Sequence, residues 1–174
     1  FSFLQGNAQD VTTLQTQARL SLQKGDYNNA ILVLQQGLQT IPGNIALTKD
    51  LVICLNATGE NERAWLAIKP VLRQSDADDQ CYQLAGIILK DLRRVKECEK
   101  HYKKGIKRFP GSGALYNEMG ELLWMQQDYA AIEYWEKGIE NDPSYPRNYY
   151  NAARFYYLTT NKVWALLYGE IFVN

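Results

Sequence analysis

The chain holds 174 residues, 46% of them hydrophobic and 22% charged, with 19 Lys and Arg against 19 Asp and Glu. That composition excludes a disordered, collagenous or disulfide-dense chain, and no apolar run reaches the roughly 18 residues of a membrane-spanning helix. Zero net charge argues against wholesale nucleic-acid binding, and a single His with three Cys leaves little material for metal or histidine-based chemistry.

Residues 1–10 read as a leader. An apolar start, Phe1 to Leu4, runs into the small-x-small triplet Gly6-Asn7-Ala8, the pattern at the end of a secretory signal peptide. Export would place the mature protein in a bacterial periplasm or cell envelope; otherwise it is cytoplasmic. From residue 11 the chain repeats itself. Gly25-Asp26-Tyr27 before Ala30 returns 34 residues later as Gly59-Glu60-Asn61 before Ala64. Pro42, Asp76, Pro110 and Pro143 close successive apolar-periodic stretches at steps of 34, 34 and 33. Compact residues keep the same frame (Ala18, Val52, Gly86, Gly120, Ala153), as do Leu14, Thr48, Tyr82, Tyr116 and Tyr149. Registers that agree define repeats at 11–44, 45–78, 79–112, 113–145 and an incomplete 146–174. The residue missing from the fourth repeat lies between Tyr129 and Ala131, in an inter-helix turn where a deletion costs least.

Each repeat reads as two helices. In the fourth, Tyr116, Met119, Gly120 and Leu123 recur at i, i+3, i+4 and i+7, one helical face. After the Gln127-Asp128-Tyr129 turn, Ala131, Ile132, Trp135, Gly138 and Ile139 form a second face, and Pro143 ends it because proline lacks an N–H. The small residues at the eighth and twentieth places let the two helices approach closely.

Several clusters have to be weighed for chemistry. Lys90 to Arg108 carries a local cationic surplus of six. Lys100, Lys103 and Lys107 share their repeat places with Glu133, Glu136 and Glu140, which predicts an ion-pair ladder between adjacent second helices; the competing reading is an anion-binding patch. Cys98 and His101, with Glu97, are too few for a zinc site of about four ligands, so Cys98 reads as a compact core residue. Asp76, Asp78 and Asp79 lack the glycine and later glutamate of a calcium loop and suit the capping of the following helix. Cys54 and Cys81 read as buried, reduced thiols. No catalytic residue, metal site or cofactor is predicted, and the chain is not expected to be an enzyme.

This pattern resembles the tetratricopeptide repeat, carried by the large fourth residue (Leu14, Tyr82, Tyr116, Tyr149) and the small eighth (Ala18, Gly86, Gly120, Ala153). The twentieth place (Ala30, Ala64, Cys98, Ala131, Ala165) and Pro42, Pro110 and Pro143 match too. The period of 34 argues against the longer, RNA-reading pentatricopeptide relatives. The second repeat departs most, with Thr48, Val52 and Asp76, so its helix pair is expected to pack less closely.

The resemblance implies an all-α, right-handed superhelical solenoid of about five repeats whose first helices line a concave groove. Its groove places fall on Gln15, Thr16, Arg19 and Gln23, then Lys49, Asp50, Ile53 and Asn56, then Gln80, Gln83, Leu84, Ile87 and Lys90. The later repeats contribute Asn117, Glu118, Glu121, Trp124 and Met125, and Arg147, Tyr150, Asn151, Arg154 and Tyr157. Asp50 stands where the family's chaperone-carboxylate clamp needs Asn, so that clamp is not expected. The implied function is a protein-interaction scaffold binding a peptide or protein in the groove. Candidate contacts are Arg19, Lys49, Lys90, Glu121, Trp124, Arg147, Tyr150, Arg154 and Tyr157, with Trp124 expected to converge with the last three. The alternatives are an accessory repeat domain of a longer enzyme or signalling chain, and anion or nucleic-acid binding through the basic third repeat. Nucleic acid is not the expected partner.

Val163 to Val173 is apolar on every side, with Glu170 its one charge. A terminal solenoid helix should be polar outside. A further helix is therefore expected to cover this stretch in the intact protein, or the stretch to drive self-association.

Overall fold

The computed structural model describes residues 2–159 and 161–173, with side chains for 11–159 and 161–172. Among the described residues there are ten α-helices and no strand: α1 Ser2–Gln23, α2 Tyr27–Thr40, α3 Ile45–Ala57, α4 Asn61–Val71, α5 Asp79–Asp91, α6 Val95–Arg108, α7 Gly113–Met125, α8 Ala131–Asn141, α9 Pro146–Leu158 and α10 Lys162–Val173. None is long and apolar enough to cross a membrane. The chain divides into two compact units, residues 1–92 and 93–174.

From α3 onward the first helices start at 45, 79, 113 and 146, the spacing read from the sequence. Their starts are set by side-chain caps. Asn44, Asp78 and Ser112 each accept the N–H three residues on, from Leu47, Cys81 and Leu115. At α9 no side chain caps, and Pro146 opens the helix where its missing N–H is not needed. Their ends recur too. Gly25, Gly59, Arg93 and Gln127, spaced by 34, all take the left-handed backbone (φ 74°, 78°, 58° and 61°). One residue further on the chain closes on itself: Asp26, Glu60 and Asp128 donate their N–H to the carbonyls of Ser21, Leu55 and Leu123.

The deletion in the fourth repeat sits in the turn after α7, and the chain absorbs it by tightening. Ala30, Ala64 and Cys98 bond the carbonyl four residues back, whereas Ala131, Ile132 and Glu133 bond the one three back. One residue has been lost by converting a turn of α-helix into 3₁₀ geometry.

In the first unit α1 pairs with α2 and α3 with α4, while α3 packs on α2 and α1, and α5 on α4 and α3. The core is mainly aliphatic, with Leu34, Leu47, Val52, Leu55, Ile68 and Leu89 all at 2% exposure or less, and it also holds Tyr82 and Trp65. The second repeat is not loose: Thr48 and Val52 are both buried. Residues 2–10, read above as a separate leader, continue α1 as helix; their side chains lie outside the described residues.

In the second unit α6 packs on α7, α7 on α8, α8 on α9 and α9 on α10. Gly120 sits where a Cβ would come within 2.4 Å of the Trp135 indole, so the α7–α8 approach requires glycine there. The expected ladder between α6 and α8 does not form. No ion pair or hydrogen bond joins Lys100, Lys103 or Lys107 to Glu133, Glu136 or Glu140 among the described residues. Lys103 instead pairs with Glu99 on its own helix at 2.6 Å, and Glu136 accepts from the hydroxyls of Tyr156 (2.8 Å) and Tyr168 (3.2 Å). Burial, then the Glu136 charge, pushes the Tyr168 hydroxyl up to about 12.

Candidate functional site

On the first-helix face of the first unit, polar side chains bond across repeats. Gln15 donates to Asp50 at 2.7 Å and Arg19 lies 3.8 Å from the same carboxylate. Lys49 reaches Asp78 at 2.6 Å and Gln80 at 2.8 Å, and Asn56 donates to Asn61 and Asp91. Burial alone would raise the Asp78 carboxyl, but the hydrogen bonds from Lys49 and the Cys81 N–H outweigh it and hold it below its ordinary value. Asp78 thus has the capping role expected of it. Lys49 is committed to structure, Ile53 is exposed and Lys90 is half-buried.

The second unit differs. Asn117 and Glu118, assigned to the groove from sequence, are buried. Asn151 donates to the Asn117 side-chain Oδ1 at 2.7 Å and lies 3.5 Å from Glu121, while Glu118 accepts from the Tyr102 hydroxyl at 3.4 Å. Glu121 therefore serves the α7–α9 contact. Trp124 is half-exposed and borders a cavity with Met125, Gln127 and Tyr129. Its ring sits 5.6 Å from Phe155, 6.1 Å from Tyr129 and 6.2 Å from Trp135, an aromatic cluster that ties α7, α8 and α9 together. Amphipathic aromatic spacing alone does not separate an anchor for a partner from one for the next repeat.

The remaining candidates lie together on α9. Arg147, Tyr150, Arg154 and Tyr157 are exposed, Tyr150 to 50% and Tyr157 to 70%. Tyr150 and Arg154 border two cavities. One, of about 390 Å³, is shared with Glu121, Arg147, Asn151 and Phe172; the other, of about 440 Å³, is shared with Ala153, Tyr157, Lys162, Ala165 and Leu166. Lys162, Leu166 and Phe172 had no place in the sequence-based list because they belong to a second helix. The all-round apolarity of α10 was the signal that could have found them: Val163, Leu166 and Leu167 are 77%, 68% and 44% exposed.

Cys54, Cys81 and Cys98 are buried and form no disulfide, and burial pushes the first two thiols up to about 11 and 12. Such groups are poor nucleophiles. The described residues hold no cluster of three or more metal-binding side chains.

Paired helices with this period, caps and packing order define a helical repeat protein. Residues 21–88 match the tetratricopeptide repeat family model. No curated protein matches the chain. Among solved structures, PilF of Pseudomonas aeruginosa superposes with a TM-score of 0.79 at 18% identity, covering 97% of this chain and 77% of that one. A MamA fragment from Desulfovibrio magneticus RS-1 gives 0.68 at 14% identity over 94% and 93%. A tetratricopeptide repeat protein from Parabacteroides merdae gives 0.70 at 16% over 95% and 66%. The chain has the all-α repeat fold of tetratricopeptide-repeat proteins.

Proposed function

We propose that this protein is an interaction scaffold, a binder rather than a catalyst, and that it engages a protein or peptide partner through the first-helix face of its last repeat. The observation that carries this reading is the composition and exposure of α9. Two tyrosines and two arginines stand out on one helix beside two cavities, and these residue types dominate binding hot spots. The equivalent cations of the first unit, Arg19 and Lys49, already have carboxylate partners. The test is affinity capture from native extract with wild type and a Tyr150→Ala, Tyr157→Ala double variant. Both rings are half or more exposed, so the variant should fold and melt like wild type while losing its specific partner. Equal capture by the two would reject this face.

One observation favours a second reading. Without the ladder, Lys96, Lys100, Lys103 and Lys107 form an exposed row at i, i+4, i+7 and i+11 of α6, with Lys104 and Arg108 beside it. Such a row suits a polyanion. Binding to heparin or RNA that weakens steeply with added salt, and is lost on Lys100→Glu with Lys107→Glu, would favour it over the α9 face.

A further inference from the structure

Second helices of this fold have no structural need of cations. α2 carries no charged side chain and α8 sets one lysine among three glutamates, yet α6 carries five lysines and an arginine. At the helical period Lys96, Lys100, Lys103, Lys104 and Lys107 fall within an arc of about 100°, opposite the buried Cys98, Tyr102 and Gly105. Lys96, Lys100, Lys104 and Lys107 make no ion pair or hydrogen bond among the described residues. Lys103 pairs with Glu99 and keeps the other donors of its ammonium. The row also opposes its own helix. Like charges stand four apart at Lys96–Lys100, Lys100–Lys104 and Lys103–Lys107, and Lys96 sits in the first turn, where the helix dipole disfavours a cation. Neither packing nor helix stability accounts for the row.

The pattern of charge selects the anion. Every exposed side chain of α6 is charged, so the face offers no ring for a base to stack on and no apolar group to enter a bilayer. Acids bound the row on both sides. Glu99 and Glu97 flank the lysine arc on α6 itself, engaged by Lys103 and Arg94. Glu99, and after it the Tyr134 phenol of α8, raises the Lys103 ammonium above its ordinary value, so α8 borders the row. That helix exposes Glu133 and Glu140. A broad anionic surface, bilayer or duplex, would meet these carboxylates together with the lysines; a narrow rod meets the lysines alone. Lys96, Lys100, Lys103 and Lys107 advance by 4, 3 and 4 residues over about 16 Å of axis, the stripe along which two helices stay in contact. Alternate residues of an extended segment step about 6.6 Å apart and drift out of register across that length.

We propose that the lysine face of α6 docks an acidic helix of a partner protein, lying alongside α6 with Asp or Glu at i, i+4, i+7 and i+11. Its carboxylates pair with Lys96, Lys100, Lys103 and Lys107, and its flanks are basic or neutral, because Glu97 and Glu99 repel acids there. The proposal rests on the anion-binding reading of α6 and names the anion as a protein helix.

The probe is a fluorescent, stapled helical peptide with glutamate at i, i+4, i+7 and i+11 and glutamine elsewhere, titrated into the full chain. Saturable binding that weakens with added salt is expected, roughly tenfold tighter than for a peptide of the same composition with its glutamates spread around the helix. Lys100→Glu with Lys107→Glu should abolish binding and leave melting unchanged, since both side chains are exposed. Lys100→Gln with Lys107→Gln, which removes charge without reversing it, should weaken binding roughly tenfold. Against the glutamate pair, lysine in the peptide at i+4 and i+11 should restore binding if the helices run parallel, or lysine at i and i+7 if antiparallel. Equal binding of the ordered and spread peptides, indifference to the lysine pair, or restoration by neither swapped peptide overturns the proposal. Heparin bound through Lys100 and Lys107 while the peptide is not overturns the helix and leaves the anion-binding reading standing. If neither binds, both readings fall. Phosphatidylserine vesicles bound more tightly than the peptide, with loss on the same pair, would assign the row to a lipid surface and overturn a protein partner.

Discussion

The two units run the same repeat frame on different chemistry. The first is filled mainly by aliphatic side chains, with Tyr82 and Trp65 among them, and its Gln15, Arg19, Lys49 and Asn56 bond to the next repeat at the edge. The second buries Trp135, Asn117, Glu118, Asn148 and Asn151 and joins three helices through an aromatic cluster. Aliphatic packing tolerates exchange of volume between neighbours. Aromatic and hydrogen-bonded packing is directional and fixes one arrangement. The second unit should therefore respond more sharply to small changes.

The largest effect is expected from Trp135→Ala, which removes a ring 2% exposed between Trp124 and Phe155. It should cost about 3–5 kcal/mol in chemical denaturation, and Trp124→Ala a smaller share of the same cluster. A cost below about 1 kcal/mol would place the aromatic cluster outside the core. Next comes Gly120→Ala, a single methyl group driven into that indole, with an expected loss of about 1–3 kcal/mol. If thermal melting is unchanged, the close α7–α8 approach is not required.

The third prediction stabilises. Arg93→Gly and Gln127→Gly put the residue found at Gly25 and Gly59 into the same left-handed turn, and each should gain up to about 1 kcal/mol. A loss would mean that these side chains contribute more than their backbone costs.

Smaller still is the coupling across second helices. A double-mutant cycle on Lys103 and Glu136 should give an interaction within about 0.3–0.5 kcal/mol of zero, since each is engaged elsewhere. The Arg19–Asp50 cycle is the positive control in the other unit, although an exposed pair is worth only about 0–1 kcal/mol.

The smallest effect follows pH. The carboxyl of Asp78 is lowered on folding, so its contribution is present above the unfolded carboxylate value and is lost as pH falls through the folded one. Lys49→Met should flatten that acid-side loss of thermal stability while leaving neutral-pH folding intact. An unchanged acid slope would show that the cap, not the lysine, sets the shift.

The sequence alone determined the repeat, its period, the helix pairs, the capping aspartate, the site of the deletion and the exposed apolar character of α10. Each follows from local spacing, since a face, a cap or a left-handed turn is written within a few residues of where it acts. Tertiary structure decided the rest. Whether Trp124 faced a partner or Phe155, whether Asn117 and Glu118 were open or buried, and whether Lys103 met Glu136 all depended on which helix lies beside which. Equal places in successive repeats imply equal environments, not mutual contact. Lys103 and Glu136 share a place in the frame, yet one turns to Glu99 on its own helix and the other to Tyr156 and Tyr168.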